Sequence, residues 1–99
     1  MDRPVVAVTY VVAYDITEDQ RRARVAATLQ ALGERIQYSV FLLTIDDGQL
    51  APLLARLATL IDLDEDSVYA LRQCAPCWGA RTCLGQAHPP TPQLYWAVL

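Results

Sequence analysis

Val5 to Tyr14 is a nearly unbroken run of apolar and β-branched residues, and it ends on a single carboxylate, Asp15. Alternation with polar residues would mark a strand with one wet face. Its absence predicts a strand buried on both faces, and hence a central one. The stretch Tyr10-Val11-Val12-Ala13-Tyr14-Asp15-Ile16 therefore delivers one acid to an edge of the sheet. Thr17-Glu18-Asp19-Gln20 follows, with Arg21, Arg22 and Arg24 behind it, so one turn brings an acid and a basic cluster together.

Thr17 is the expected N-cap of a first helix over Glu18–Leu32, with Gln20 completing a capping box and Glu18 and Asp19 complementing the helix dipole. Val25, Ala26, Leu29 and Leu32 make its apolar stripe, and Gly33 is expected to end it in the left-handed conformation. Arg21 and Arg22 straddle the stripe near Asp15, whereas Arg24 points to one side. Arg35–Ile45 is expected as the second strand, with Ile36, Tyr38, Val40 and Leu42 on one face and Gln37, Ser39, Phe41 and Leu43 on the other.

Asp46-Asp47-Gly48 signals a turn into a second helix striped by Leu53, Leu54, Leu57, Leu60 and Ile61, with Pro52 tolerated in its first turn. Asp62 to Asp66 is an acidic, solvated connector before a strand over Ser67–Arg72. Cys74-Ala75-Pro76-Cys77 reads as a turn and Ala80–Leu84 as a further strand. The fold expected is α+β: a ferredoxin-like β-α-β-β-α-β domain with an antiparallel sheet over residues 1–85. Residues 86–99 are a proline-rich linker and an additional C-terminal strand, Leu94–Val98, free to reach a different sheet edge.

Both helices of such a fold lie on one face of the sheet, leaving the other to be covered. Composition agrees, because 54% hydrophobic residues and a mean hydropathy of +0.18 are rich for a 99-residue monomer. A homodimer is the simplest use for the surplus. No apolar run approaches the ~20 residues that span a bilayer, no signal-peptide pattern is present, and the expected location is cytoplasmic. Cys74, Cys77 and Cys83 are an odd set, which argues against a disulfide framework.

A net charge of −3 and a pI near 4.8 do not advertise a nucleic-acid binder. Distribution matters more: all eight basic residues are arginine, whose planar fork suits phosphate. Arg21, Arg22, Arg24 and Arg35 are the candidate phosphate contacts, with ion pairing to Glu18, Asp19 or Glu34 as the alternative use. Asp15 either belongs to the turn or needs a cation, since an acid after a buried strand is costly without a partner or solvent. Magnesium is commonly held by one or two carboxylates plus waters, so Asp15 and its mate across a two-fold axis are candidate ligands of one shared ion. Such an ion would allow phosphodiester hydrolysis without a histidine base. His88 is a loop residue, and Asp46 and Asp47 serve the turn and helix start. The three cysteines fall short of the four ligands and second close pair of a structural zinc site, unless His88 supplies the fourth.

Tyr14-Asp15-Ile16, Arg22-x-Arg24-Val25, the run from Gly33 to Phe41, and Ile61-Asp62 followed by Glu65-Asp66-Ser67-Val68 together resemble the CRISPR-associated protein 2 family, over Val11 to about Gly85. The resemblance implies a ferredoxin-like homodimer whose tail strand adds to the partner's sheet. It also implies a role in CRISPR adaptation, in which members bridge dimers of the CRISPR integrase and help hold incoming DNA. It further implies a magnesium- or manganese-dependent endonuclease acting on RNA or double-stranded DNA. By match to the family pattern Asp15 is the metal residue, Tyr14, Arg22, Arg24, Arg35 and Phe41 fall on positions tied to nuclease activity, and Ser39 is the serine of the dimer-facing strand. The alternatives are a toxin-like endoribonuclease of the related virulence-associated protein D family and a ferredoxin-like ligand-binding regulator.

Overall fold

In the structure, a computed structural model that describes residues 7–85, β1 (Ala7–Asp15) is the central strand its sequence predicts. It pairs antiparallel with β3 (Val40–Asp46) on one side and β4 (Ser67–Gln73) on the other, and β2 (Gly33–Gln37) lies outside β3. With α1 (Asp19–Gln30) and α2 (Leu50–Leu60) as crossovers, the strand order β2-β3-β1-β4 is the expected ferredoxin-like sheet.

Strand alternation sorts β1 into two uses. Val8, Tyr10, Val12 and Tyr14 are buried with Val25, Ala26 and Leu29 of α1, Leu53 and Leu57 of α2, and Phe41, Leu43 and Ile45 of β3. Fully burying a side chain such as Leu29 or Phe41 contributes about 1.5–3 kcal/mol, so this one face carries most of the fold's stability. On the other face Thr9 Oγ1 lies 3.4 Å from Thr44 Oγ1. That face also presents Tyr69 and Leu71 of β4, which are 60% and 54% exposed. No helix among the described residues covers them. Nor is any of these helices long and apolar enough to cross a membrane.

Several expectations are corrected. The segment Arg35–Ile45 is a hairpin, not one strand: Gln37 pairs with Val40, the register shifts between Arg35 and Gln37, and Tyr38-Ser39 makes the turn. A two-residue turn reverses the in-out phase and the shift between Arg35 and Gln37 reverses it back, so residues 33–35 and 40–46 alternate as one strand would and periodicity does not separate them. Ser39 accordingly sits in that turn, where its carbonyl accepts the Tyr14 N–H at 3.1 Å. Residues 80–84 form no strand, because β4 runs directly into a helical turn, α3 (Ala75–Gly79), with Cys74 as its cap and Pro76 in its first turn. The sheet therefore reaches four strands through the hairpin.

The N-cap of α1 is Glu18, which is extended (φ −87°, ψ 130°) and accepts from the Gln20 and Arg21 N–H groups, so the helix starts one residue later than Thr17 would set. At the other end, Ala31 is right-handed and Gly33 is not in the left-handed region; Leu32 is 40% exposed, outside the core. Gly33 answers a different demand. A Cβ there would lie 2.1 Å from the Leu42 carbonyl oxygen and 2.6 Å from Leu43 Cδ2. The linker over 86–93, His88 and the strand expected at Leu94–Val98 lie outside the described residues.

Candidate functional site

Asp15 closes β1 on the face the helices leave uncovered, opposite Ser67 of β4. It is exposed and makes no ion pair or side-chain hydrogen bond among the described residues. Tyr14 turns the other way and stacks on Phe41, with ring centroids 6.3 Å apart and planes at 25°. The Arg35 guanidinium lies over the same Phe41 ring, 5.1 Å from its centroid. Tyr14, Asp19, Arg22, Arg35 and Tyr38 line a groove of about 240 Å³. Consecutive residues of one strand thus divide the candidates: the acid on the open face, and Tyr14 with Phe41 and two arginines beneath α1.

The arginine cluster is divided as well. Arg21 donates from Nε to Asp66 Oδ2 at 2.8 Å and lies 3.5 Å from Glu65 Oε2. The sequence places Asp66 in a solvated connector, yet its side chain is fully buried and also accepts the Asp62 N–H at 2.9 Å. The Arg21 hydrogen bond, and after it that from Asp62, hold the Asp66 carboxyl below the usual carboxylate range, and Arg21 is raised in return. Arg22 pairs with Asp19 and donates to the Ile16 carbonyl at 3.0 Å, fixing the turn after Asp15. The Arg24 guanidinium is exposed, with no ion pair among the described residues.

Sequence reasoning misses two residues. Asp66 is hidden by the acidic neighbours it shares with the connector. Tyr38, 74% exposed at the hairpin tip and lining the groove, reads from the sequence as part of a strand face. Ser39, the one turn-forming residue type between Ile36 and Val40, is the only local sign of a turn. Asp46 serves the turn before α2 as expected, its N–H donating to Gln49 Oε1 at 2.9 Å.

Among the described residues no three His, Cys, Asp or Glu side chains gather as a metal site. Among the described residues the candidate metal donor at this site is the exposed Asp15 carboxylate. A single carboxylate suits an ion which keeps most of its waters, as magnesium does. Cys74, Cys77 and Cys83 are free and exposed.

A family model described as CRISPR associated protein Cas2 matches residues 8–81. A CRISPR-associated endoribonuclease Cas2 of Rhodospirillum rubrum is 38% identical over 76 residues, 77% of this chain and 61% of that protein, so the chain spans less than two thirds of that curated relative's length. The crystal structure of a hypothetical protein from Thermus thermophilus superposes with a TM-score of 0.77 at 35% identity, covering 87% of this chain and 100% of that one. The crystal structure of Streptococcus pyogenes Cas2 shares the fold, with a TM-score of 0.71 at 24% identity over 78% of this chain and 99% of that one. The family match runs from the second residue of β1 to beyond α3, taking in every strand and helix of the sheet and its cover, and the chain belongs to the CRISPR associated protein Cas2 family.

Proposed function

We propose that the chain acts as a homodimer in CRISPR adaptation, bridging copies of the CRISPR integrase and holding DNA, and that it carries a magnesium-dependent endonuclease centre built on Asp15. One observation carries the reading: an exposed acid without an ion-pair partner among the described residues stands at the end of the central strand, on an uncovered face that also presents Tyr69 and Leu71. Covering those side chains with a second copy brings two such acids to one interface.

Asp15 of each copy would hold the ion, magnesium or manganese, which when bound would supply Lewis-acid polarisation for phosphodiester hydrolysis. Arg24, and Arg22 and Arg35 along the groove, hold phosphates, while Arg21 is spent on Asp66. The endoribonuclease name of the Rhodospirillum rubrum relative supports RNA as the substrate that is cut. A net charge of −3 limits how firmly the dimer alone grips duplex DNA, so the bridging role assigns part of that grip to the integrase.

The test is Asp15→Asn in the full-length protein, assayed for cleavage of labelled RNA and duplex DNA with Mg²⁺ or Mn²⁺, and for integrase-dependent spacer integration. Expected is a loss of cleavage of at least ~100-fold with integration retained. A wild-type dimer that cuts neither substrate with either metal removes the enzyme from the proposal. Failure to form a complex with the integrase removes the bridge.

A further inference from the structure

Cys74 and Cys77, which flank the start of α3, take no part in the centre proposed above. The Cys74 Sγ accepts the Cys77 backbone N–H at 3.2 Å, so the loop folds the last residue of the motif back onto the first sulfur. Both side chains are free and exposed, so the pair is open to a reagent from solvent. Pro76 sits between them in the first turn, where it stiffens the short loop that joins the two cysteines. Cys83 is free and exposed as well, but stands six residues beyond Cys77 and outside the motif.

We propose that Cys74 and Cys77 form a redox-active dithiol that exchanges with low-molecular-weight disulfides of the glutathione class. Cys74 is the attacking sulfur, since the Cys77 thiol and then the Cys77 N–H stabilise its thiolate and hold its thiol below the usual range, while that of Cys77 is raised. The Cys74 thiolate attacks one sulfur of the disulfide, that S–S bond breaks, and one thiolate leaves with the bonding pair. Cys77 then loses its proton and attacks Cys74 in the mixed disulfide, releasing the second thiolate and closing a Cys74–Cys77 disulfide. Two protein thiols are oxidised and one small disulfide is reduced to two thiols, with the two protons passing through solvent to the departing thiolates. The site adjoins β4, whose Tyr69 and Leu71 lie on the uncovered face, so oxidation fixes the backbone where the chain leaves that strand. It does not depend on the nuclease reading and stands with Asp15 inert.

The experiment equilibrates the full-length protein in buffers of graded reduced-to-oxidised glutathione ratio, quenches in acid, alkylates free thiols and maps each cysteine by mass. Expected is a Cys74–Cys77 peptide lighter by two hydrogens, in a fraction that follows the glutathione ratio and survives Cys83→Ser. Cys77→Ser accumulates glutathione on Cys74, and Cys74→Ser forms no internal disulfide and is modified at least ~10-fold more slowly. Glutathione spread evenly over the three cysteines, or a Cys74–Cys77 dithiol still reduced in excess oxidised glutathione, overturns the proposal.

Discussion

Arg21 reaches across the fold to Asp66, with Nε 2.8 Å from Oδ2 and a terminal nitrogen 3.4 Å from Oδ1. The two residues are 45 apart in sequence, so the contact ties the first turn of α1 to the start of β4. Asp66 is held at the same time by the Asp62 N–H, which leaves its buried carboxylate fully engaged. Removing one partner of such a group exposes the fold to the cost of an unsatisfied charge. The strongest basic cluster of the chain thus serves two ends: Arg21 braces the scaffold, and Arg24 faces solvent.

Acid should release that brace. The Asp66 carboxyl is held below its ordinary range in the folded chain, chiefly by Arg21, so its stabilisation is full above the unfolded value of about 4 and is lost as pH falls through the lower folded value. Asp66→Asn should lower Tm at pH 7 and flatten the decline of Tm below about pH 4 relative to wild type. Thermal melts followed by circular dichroism across that range measure it, and parallel curves for the two proteins would show that the pair contributes nothing.

Gly33→Ala tests the packing demand at the start of β2. Gly33 lies outside the left-handed region, so alanine would ordinarily gain a little from a less flexible unfolded chain. Here its Cβ meets the Leu42 carbonyl at 2.1 Å, and the β2–β3 pair must part. A loss of about 1–3 kcal/mol in urea unfolding is expected. A variant as stable as wild type would mean that the edge strand yields freely.

The central strand, both helices and the exposed acid are legible because each rests on a local signal: an apolar run without alternation, a stripe at helical spacing, an acid just past a buried stretch. The hairpin at Tyr38-Ser39 is not, since the two-residue turn and the register shift beside it together restore the alternation of a single strand. Gly33 has the position of a helix stop, whereas its reason is β3, whose Leu42 carbonyl and Leu43 side chain occupy the space a Cβ would need. Asp66 escapes notice for a related cause. Its partner is 45 residues away, and nothing in the acidic run around it distinguishes the buried member from the solvated ones.

Leu71→Glu should separate the dimer without unfolding the chain. Leu71 is 54% exposed on the uncovered face and lies outside the core cluster, so a charge there costs the monomer little. In a dimer closed over that face the same charge is buried without a partner. Dimer affinity should fall at least ~10-fold, about 1.4 kcal/mol, in sedimentation equilibrium. Unchanged affinity would place the interface elsewhere.

Salt dependence distinguishes an arginine that touches phosphate from one that braces the fold. Removing a single arginine–phosphate interaction should reduce the slope of log K against log salt by about 0.9 on duplex DNA and about 0.7 on a single strand. Arg24→Ala and Arg35→Ala should each do so, with Tm nearly unchanged for Arg24, whose side chain is exposed and unpaired among the described residues. Arg35→Lys keeps the charge but gives up the flat group over Phe41, so it should preserve the slope while weakening binding at every salt concentration. Arg21→Ala should behave in the opposite way, lowering Tm and leaving the slope intact, because its guanidinium is committed to Asp66. Fluorescence anisotropy with labelled RNA and duplex DNA over a salt series supplies all four slopes. A slope that drops as far for Arg21→Ala as for Arg24→Ala would make Arg21 a phosphate ligand that releases Asp66 when nucleic acid arrives.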